Sequence, residues 1–195
     1  FFYHLILDTT DPPSYDSLVS EYHILFQRNL LMRNPKLTPE ERQLLRTLIA
    51  DLDRAGRLAL ARAAIQHGST TVFAHCVKVA CFSLFLANKL RISVDTHALL
   101  RGALLHDYFL YDWHEKNAGH RFHGFTHPAT ALKNAQEDFM LTPVEKDIIA
   151  RHMFPLCPIP PRCREAWLVC AADKYCALLE TVGPLLRSFR PRANP

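Results

Sequence analysis

Between Thr38 and Val182, apart from a break at Tyr108 to Gly124, apolar residues recur at intervals of three and four, and runs of strict apolar–polar alternation are essentially absent. That period gathers apolar side chains onto one face of a helix, whereas a half-buried strand needs a period of two. The chain is thereby confined to helical architectures. Its glycine content points the same way. Six Gly against thirteen Pro leave little material for the hairpin turns of a sandwich or for a glycine-rich phosphate loop. With 195 residues, 49% of them hydrophobic, the reading is a single all-α domain with a sizeable core.

Caps and prolines divide the chain. Pro12 and Pro13 precede an apolar-periodic stretch from about Asp16 to Met32. Thr38-Pro39-Glu40-Glu41 is a capping box with Pro at the first helical position, and Gly56 ends the helix it opens. A short helix to His67, closed by Gly68, is expected next. Ser69 or Thr70 then caps a long helix to about Leu90, with Val72, Cys76, Val79, Ser83, Leu86 and Leu90 as its inward stripe and His75 at the stripe's edge. Asp95 caps a helix that ends near His106-Asp107. From Tyr108 to Gly124 the periodicity breaks into a long segment rich in aromatics and His, expected to be a lid or pocket wall. A helix resumes around His127-Pro128, and Thr142-Pro143-Val144-Glu145 repeats the capping box for a helix ending near His152. The last helix is expected from about Arg162 to Val182, stopped by Pro184.

Composition narrows the function classes. The net charge is +4, and no stretch stacks Lys and Arg, so no nucleic-acid groove is evident. Six Cys without a Cys-x-x-Cys spacing give no zinc finger or thioredoxin-like site. They read as reduced core thiols, and the expected compartment is cytoplasmic. Phe1 to Leu7 is apolar but short, interrupted by His4, and lacks a basic flank and a cleavage site, so it does not read as a signal peptide. No apolar run reaches the length expected of a membrane helix.

Six residues stand out by placement. His106 and Asp107 are adjacent at the end of an apolar helix, His75 lies on the apolar side of the helix before it, His127 opens a helix, His152 closes one, and Asp173 falls inside the run Val169-Cys170-Ala171-Ala172-Asp173. An ionised Asp in an apolar run needs a partner, because desolvation costs several kcal/mol. A metal ion is one such partner and an Arg or Lys another. Each residue also has a plain structural reading. A His on an apolar face is often a hydrogen-bonded core residue, and His152 at a helix C-terminus complements the helix dipole. Imidazole and carboxylate together suit Zn, Fe, Mn, Co or Ni. Six ligands exceed one tetrahedral ion and suit two ions sharing a carboxylate.

The same residues carry a family resemblance. Thr-Val-Phe-Ala-His75, Ala-Leu-Leu-His106-Asp107, Thr-His127-Pro128, Ala-Arg-His152 and Ala-Ala-Asp173-Lys174 resemble the HD superfamily of metal-dependent phosphohydrolases, and the two extra His resemble its binuclear members. The resemblance covers roughly Gln66 to Glu180. It implies an HD-domain helical bundle with a core of about 66–180 and an N-terminal helical extension, 1–65. It further implies a first metal held by His75, His106, Asp107 and Asp173, with Asp107 bridging to a second held by His127 and His152. The expected partner is a small phosphorylated substrate, a nucleotide, hydrolysed by water that two divalent transition metal ions activate.

One position departs from the family pattern. Many binuclear members have Lys three residues after the His-Asp pair, where this chain has Leu110. Catalytic roles are therefore assigned to Asp107 and to Lys78, one turn from His75 and able to share its face. Arg101, Arg151 and Lys174 are further cations, read as surface residues. Lys78, Trp113 and His123 are the expected substrate-binding residues. Tyr111 is a second aromatic that could stack on a base, its plain alternative being to pack the loop onto the domain. His114, His120 and His123 are candidate proton donors to a leaving group, their plain alternative being solvent-exposed loop residues. The alternative is a regulatory HD module that holds ligand with little turnover.

Overall fold

The structure, a computed structural model, describes residues 37–67, 70–111 and 123–188. The chain's contacts divide it into Phe1–Asn34 and Pro35–Pro195, and every element described here belongs to the second unit. The expected helix at 16–32, the loop residues Trp113, His114 and His120, and the side chain of His123 lie outside the described residues.

Seven helices and one two-stranded ribbon make up the described fold, which is all-α as the periodicity requires. Helix α1, Pro39–Ala55, begins at the expected capping box. Thr38 accepts from Glu41 N, and Glu41 accepts in return from Thr38 N at 2.7 Å. Leu45, Leu48, Ile49 and Leu52 form its buried face. Helix α2 covers only Leu58–Ala63. The expected continuation to His67 is instead strand β1, Ile65–His67, paired antiparallel with β2, Thr70–Thr71. The β-branched Ile65, Thr70 and Thr71 favour extended backbone, and the ribbon is too short for a period-two pattern to register.

Helix α3, Val72–Leu90, is capped by Thr71, which accepts from Ala74 N, one residue beyond the expected cap. By length and composition it is apolar enough to cross a membrane, with a mean hydropathy of 1.3. The sequence reading found no such run, because His75 and Lys78 interrupt it. In the fold it is a core helix: Val72, Cys76, Val79 and Ser83 are buried as expected, although Leu90 is exposed. Helix α4, Thr96–Leu105, is capped by Asp95. Helix α5, His123–Asp138, starts a turn earlier than expected and carries Pro128 within it. Helix α6, Pro143–Arg151, has the second capping box. Helix α7, Arg164–Ser188, runs past Pro184. A proline forfeits one backbone hydrogen bond, and so late in a helix that loss does not stop it.

Helix α3 packs on α4 and α7, and α6 packs on the same two helices. Helix α5 lies on α6, and α1 on α4. The core runs through Leu99, Leu100, Leu104, Leu105, Ile148 and Ile149, all essentially inaccessible. Gly102 sets the approach of α4 to α6, because a Cβ there would lie 2.5 Å from Ile148 Cδ1 and 3.1 Å from its Cβ. His106 and His152 each follow this contact by one helical turn.

Candidate metal centre

The fold brings all six expected ligands together, five of them from helices or helix ends. His75 is in the first turn of α3, and His106 and Asp107 leave the end of α4. His127 lies on α5, His152 caps the end of α6, and Asp173 lies on α7. All six are buried. His75 Nε2 is 3.1 Å from Asp173 Oδ1, and His106 Nε2 is 3.8 Å from the same oxygen. His127 Nε2 and His152 Nε2 approach to 2.8 Å.

Asp107 stands between these groups with its oxygens divided. Oδ2 is 3.4 Å from His106 Nε2 and 3.9 Å from His75 Nε2. Oδ1 is 3.3 Å from His127 Nε2 and 3.4 Å from His152 Nε2. One carboxylate thus faces two clusters of nitrogen donors, one with each oxygen.

The imidazoles are oriented from behind. His106 Nδ1 donates to Ala103 O at 2.7 Å, and His152 Nδ1 donates to Ile149 O at 2.9 Å. His75 Nδ1 meets Glu180 Oε2 at 3.0 Å. Protonation at Nδ1 leaves Nε2 as the lone-pair atom, and in each case Nε2 is the atom turned into the centre. His106 Nε2 and Asp107 Oδ1 are buried without a hydrogen-bond partner. Buried polar atoms are rarely left so, and a cation among them resolves both. The donor set fits divalent transition metals.

Charge is concentrated here. Burial alone would lower the pKa of His75, but hydrogen bonds to Asp173 and Glu180 outweigh it and raise it to about 10. Burial is likewise outweighed at His106, where the charge of Asp107 holds the ring well above the usual imidazole range. Asp107 and Asp173 are held below the carboxylate range, burial being overcome by the surrounding imidazoles. His152 is lowered, chiefly by burial. Protons therefore occupy the His75–His106 side, and a cation entering there displaces them.

Two residues at the centre escaped the sequence reading. Gln66, on β1, is buried and donates from Nε2 to Asp107 Oδ2 at 2.7 Å. Glu180, on α7, joins His75 to Lys78, whose Nζ lies 2.8 Å from Glu180 Oε1. No local pattern marks Gln66. The seven-residue spacing from Asp173 to Glu180 was the available signal for Glu180, since it puts both on one helix face.

The cations considered from sequence are all engaged. Lys78 is on the face of His75, as its spacing implies, but its ammonium is held by Glu180. Arg101 pairs with the buried Glu145, Arg151 with Asp147, and Lys174 donates to His152 O at 2.7 Å. Lys174 therefore caps α6 directly at the His152 position. Burial and then the charge of Asp107 raise the pKa of Tyr111. Its ring packs 5.0 Å from Phe109, which in turn meets His127 at 5.9 Å.

The family model for the HD domain matches residues 72–178, more than half of the chain. The chain belongs to the HD domain family. Neither the curated proteins nor the solved structures contain a match to it. Membership makes it one of a family of metal-dependent phosphohydrolases, and the HD match extends over His75, His106, Asp107, His127, His152 and Asp173.

Proposed function

We propose that this HD protein hydrolyses a phosphate ester or anhydride of a small molecule, a nucleotide, with two divalent metal ions. One is assigned to His75, His106, Asp107 and Asp173, the other to Asp107, His127 and His152. The observation that carries this reading is the division of the Asp107 carboxylate between two sets of imidazole nitrogens. Such ions supply Lewis acidity and lower the pKa of water, so that no side-chain nucleophile is required.

The chain's own contribution is orientation and charge. In the metal-free chain, protons on His75 and His106 balance Asp107 and Asp173; divalent cations that displace those protons would add positive charge where a phosphate is to bind. The Nδ1 contacts of His75, His106 and His152 fix the ligand rings before substrate arrives, which lowers the reorganisation required during reaction. Phe109 is buried, and the partly exposed Tyr111 packed on it is assigned to substrate contact.

One observation favours the second reading, a ligand-holding module with little turnover. Lys78, Arg101, Arg151 and Lys174 all have protein partners, and Leu110 stands where many binuclear members have Lys. The test is a panel of mononucleotides, dinucleoside polyphosphates, cyclic dinucleotides and simple phosphomonoesters, assayed with Mn, Co or Fe at measured metal content. Hydrolysis that is lost with chelator and restored by metal is expected. A fully metallated protein inert across the panel contradicts the hydrolase reading and selects the module.

A further inference from the structure

His106 and His152 lie just past the ends of α4 and α6. The last carbonyls of a helix have no partner within it, and the two rings use those of Ala103 and Ile149 to hold Nδ1. His75 has no such option. It sits in the first turn of α3, where the unpaired backbone groups are N–H donors rather than acceptors. Its Nδ1 acceptor must come from elsewhere in the fold, and it comes from Glu180.

Helix α7 meets this ring on both of its nitrogens. Asp173 Oδ1 is 3.1 Å from Nε2, and Glu180 Oε2 is 3.0 Å from Nδ1. Seven residues separate the two carboxylates, two turns along one face. The Glu180 side chain is only 6% exposed, while its second partner, Lys78, is 20% exposed. An ion pair with Lys78 alone is as readily made nearer solvent, at lower desolvation cost. What the inward position adds is the His75 contact.

We propose that Glu180 is a positioning residue of the metal centre. It holds His75 by Nδ1 so that Nε2 faces the centre, and Lys78 acts through Glu180 by fixing its carboxylate rather than by touching substrate. This rests on the reading of His75 as a metal ligand. Carboxylate partners of ligand imidazoles typically contribute 10–100-fold to metal affinity.

The test is titration of the metal-free full chain with Co(II), read by affinity and by the ligand-field absorption of the bound ion, with thermal melts of the metal-free proteins alongside. Glu180→Leu is expected to weaken the tighter Co(II) site by roughly 10–100-fold and to change its absorption. Glu180→Gln, which keeps an acceptor but loses the charge, is expected to fall between Leu and the parent, and it carries the comparison if the Leu variant does not fold. Lys78→Met is expected to produce a smaller loss, and Lys78→Met combined with Glu180→Leu no more than Glu180→Leu alone, because both act along one route. Unchanged affinity and spectrum in both Glu180 variants would overturn the proposal, as would losses from Lys78 and Glu180 that multiply. His75→Ala separates the two layers. If it binds Co(II) like the parent, the ligand reading itself fails. If it loses the site while the Glu180 variants keep it, only the positioning role fails.

Discussion

At Asp107 the fold assigns each carboxylate oxygen a different set of neighbours, and a single amide helps fix that orientation. Gln66 Nε2 donates to Oδ2 at 2.7 Å, while Gln66 Oε1 has no partner. A hydrogen bond to a buried charge contributes about 1.5–3 kcal/mol, and the orphaned oxygen offsets part of that. Gln66→Met keeps the side chain's length and removes both atoms. The metal-free variant is therefore expected to be less stable than the parent by about 1–2 kcal/mol in urea unfolding. Equal stability would show that the amide does not restrain Asp107. Gln66 was invisible in the sequence because its role depends on a contact across 41 positions, made by a strand of three residues. His106, Asp107 and Asp173 were visible because polar residues stand out within or beside an apolar run. Lys78 was visible as a cation on the right face, but the sequence could not show that Glu180 already holds it.

At the scale of elements, the site depends on two helices ending together. Helices α4 and α6 touch at Gly102 and Ile148 and release His106 and His152 one turn later, with ring centroids 4.9 Å apart. Gly102→Ala sets two effects against each other. Alanine favours a helix interior by about 1 kcal/mol over glycine, whereas overpacking a tight core costs about 1–3 kcal/mol. The second effect wins here, because the nearest atoms include Ile148 Cβ at 3.1 Å, which no rotamer change moves. The variant is expected to melt at lower temperature and to bind metal more weakly. A higher melting temperature with unchanged metal affinity would show that α4 and α6 tolerate separation. Both capping boxes were legible because four adjacent residues suffice to define them. The ribbon β1–β2 was not, since two or three residues carry no period. The start of α5 was misplaced by a turn because Pro128 resembles a first-turn proline yet lies inside the helix.

For the whole molecule, five helices and one turn commit buried histidines and carboxylates to a common point, an arrangement that is costly until a cation occupies it. Metal that binds the folded chain alone also stabilises it, by about 2.7 kcal/mol at a hundredfold excess over its dissociation constant. The two-ion assignment predicts more than that, a centre divided at Asp107 into two separately removable ions. The direct measurement is metal content per chain after reconstitution with Mn or Co and removal of excess, for the parent, His127→Ala, His152→Ala and Asp107→Ala. Two ions per parent chain are expected, one in each His127 and His152 variant, and loss of metal retention at Asp107→Ala. A parent chain that saturates with one ion, or His127 and His152 variants that keep two, would contradict the two-ion assignment.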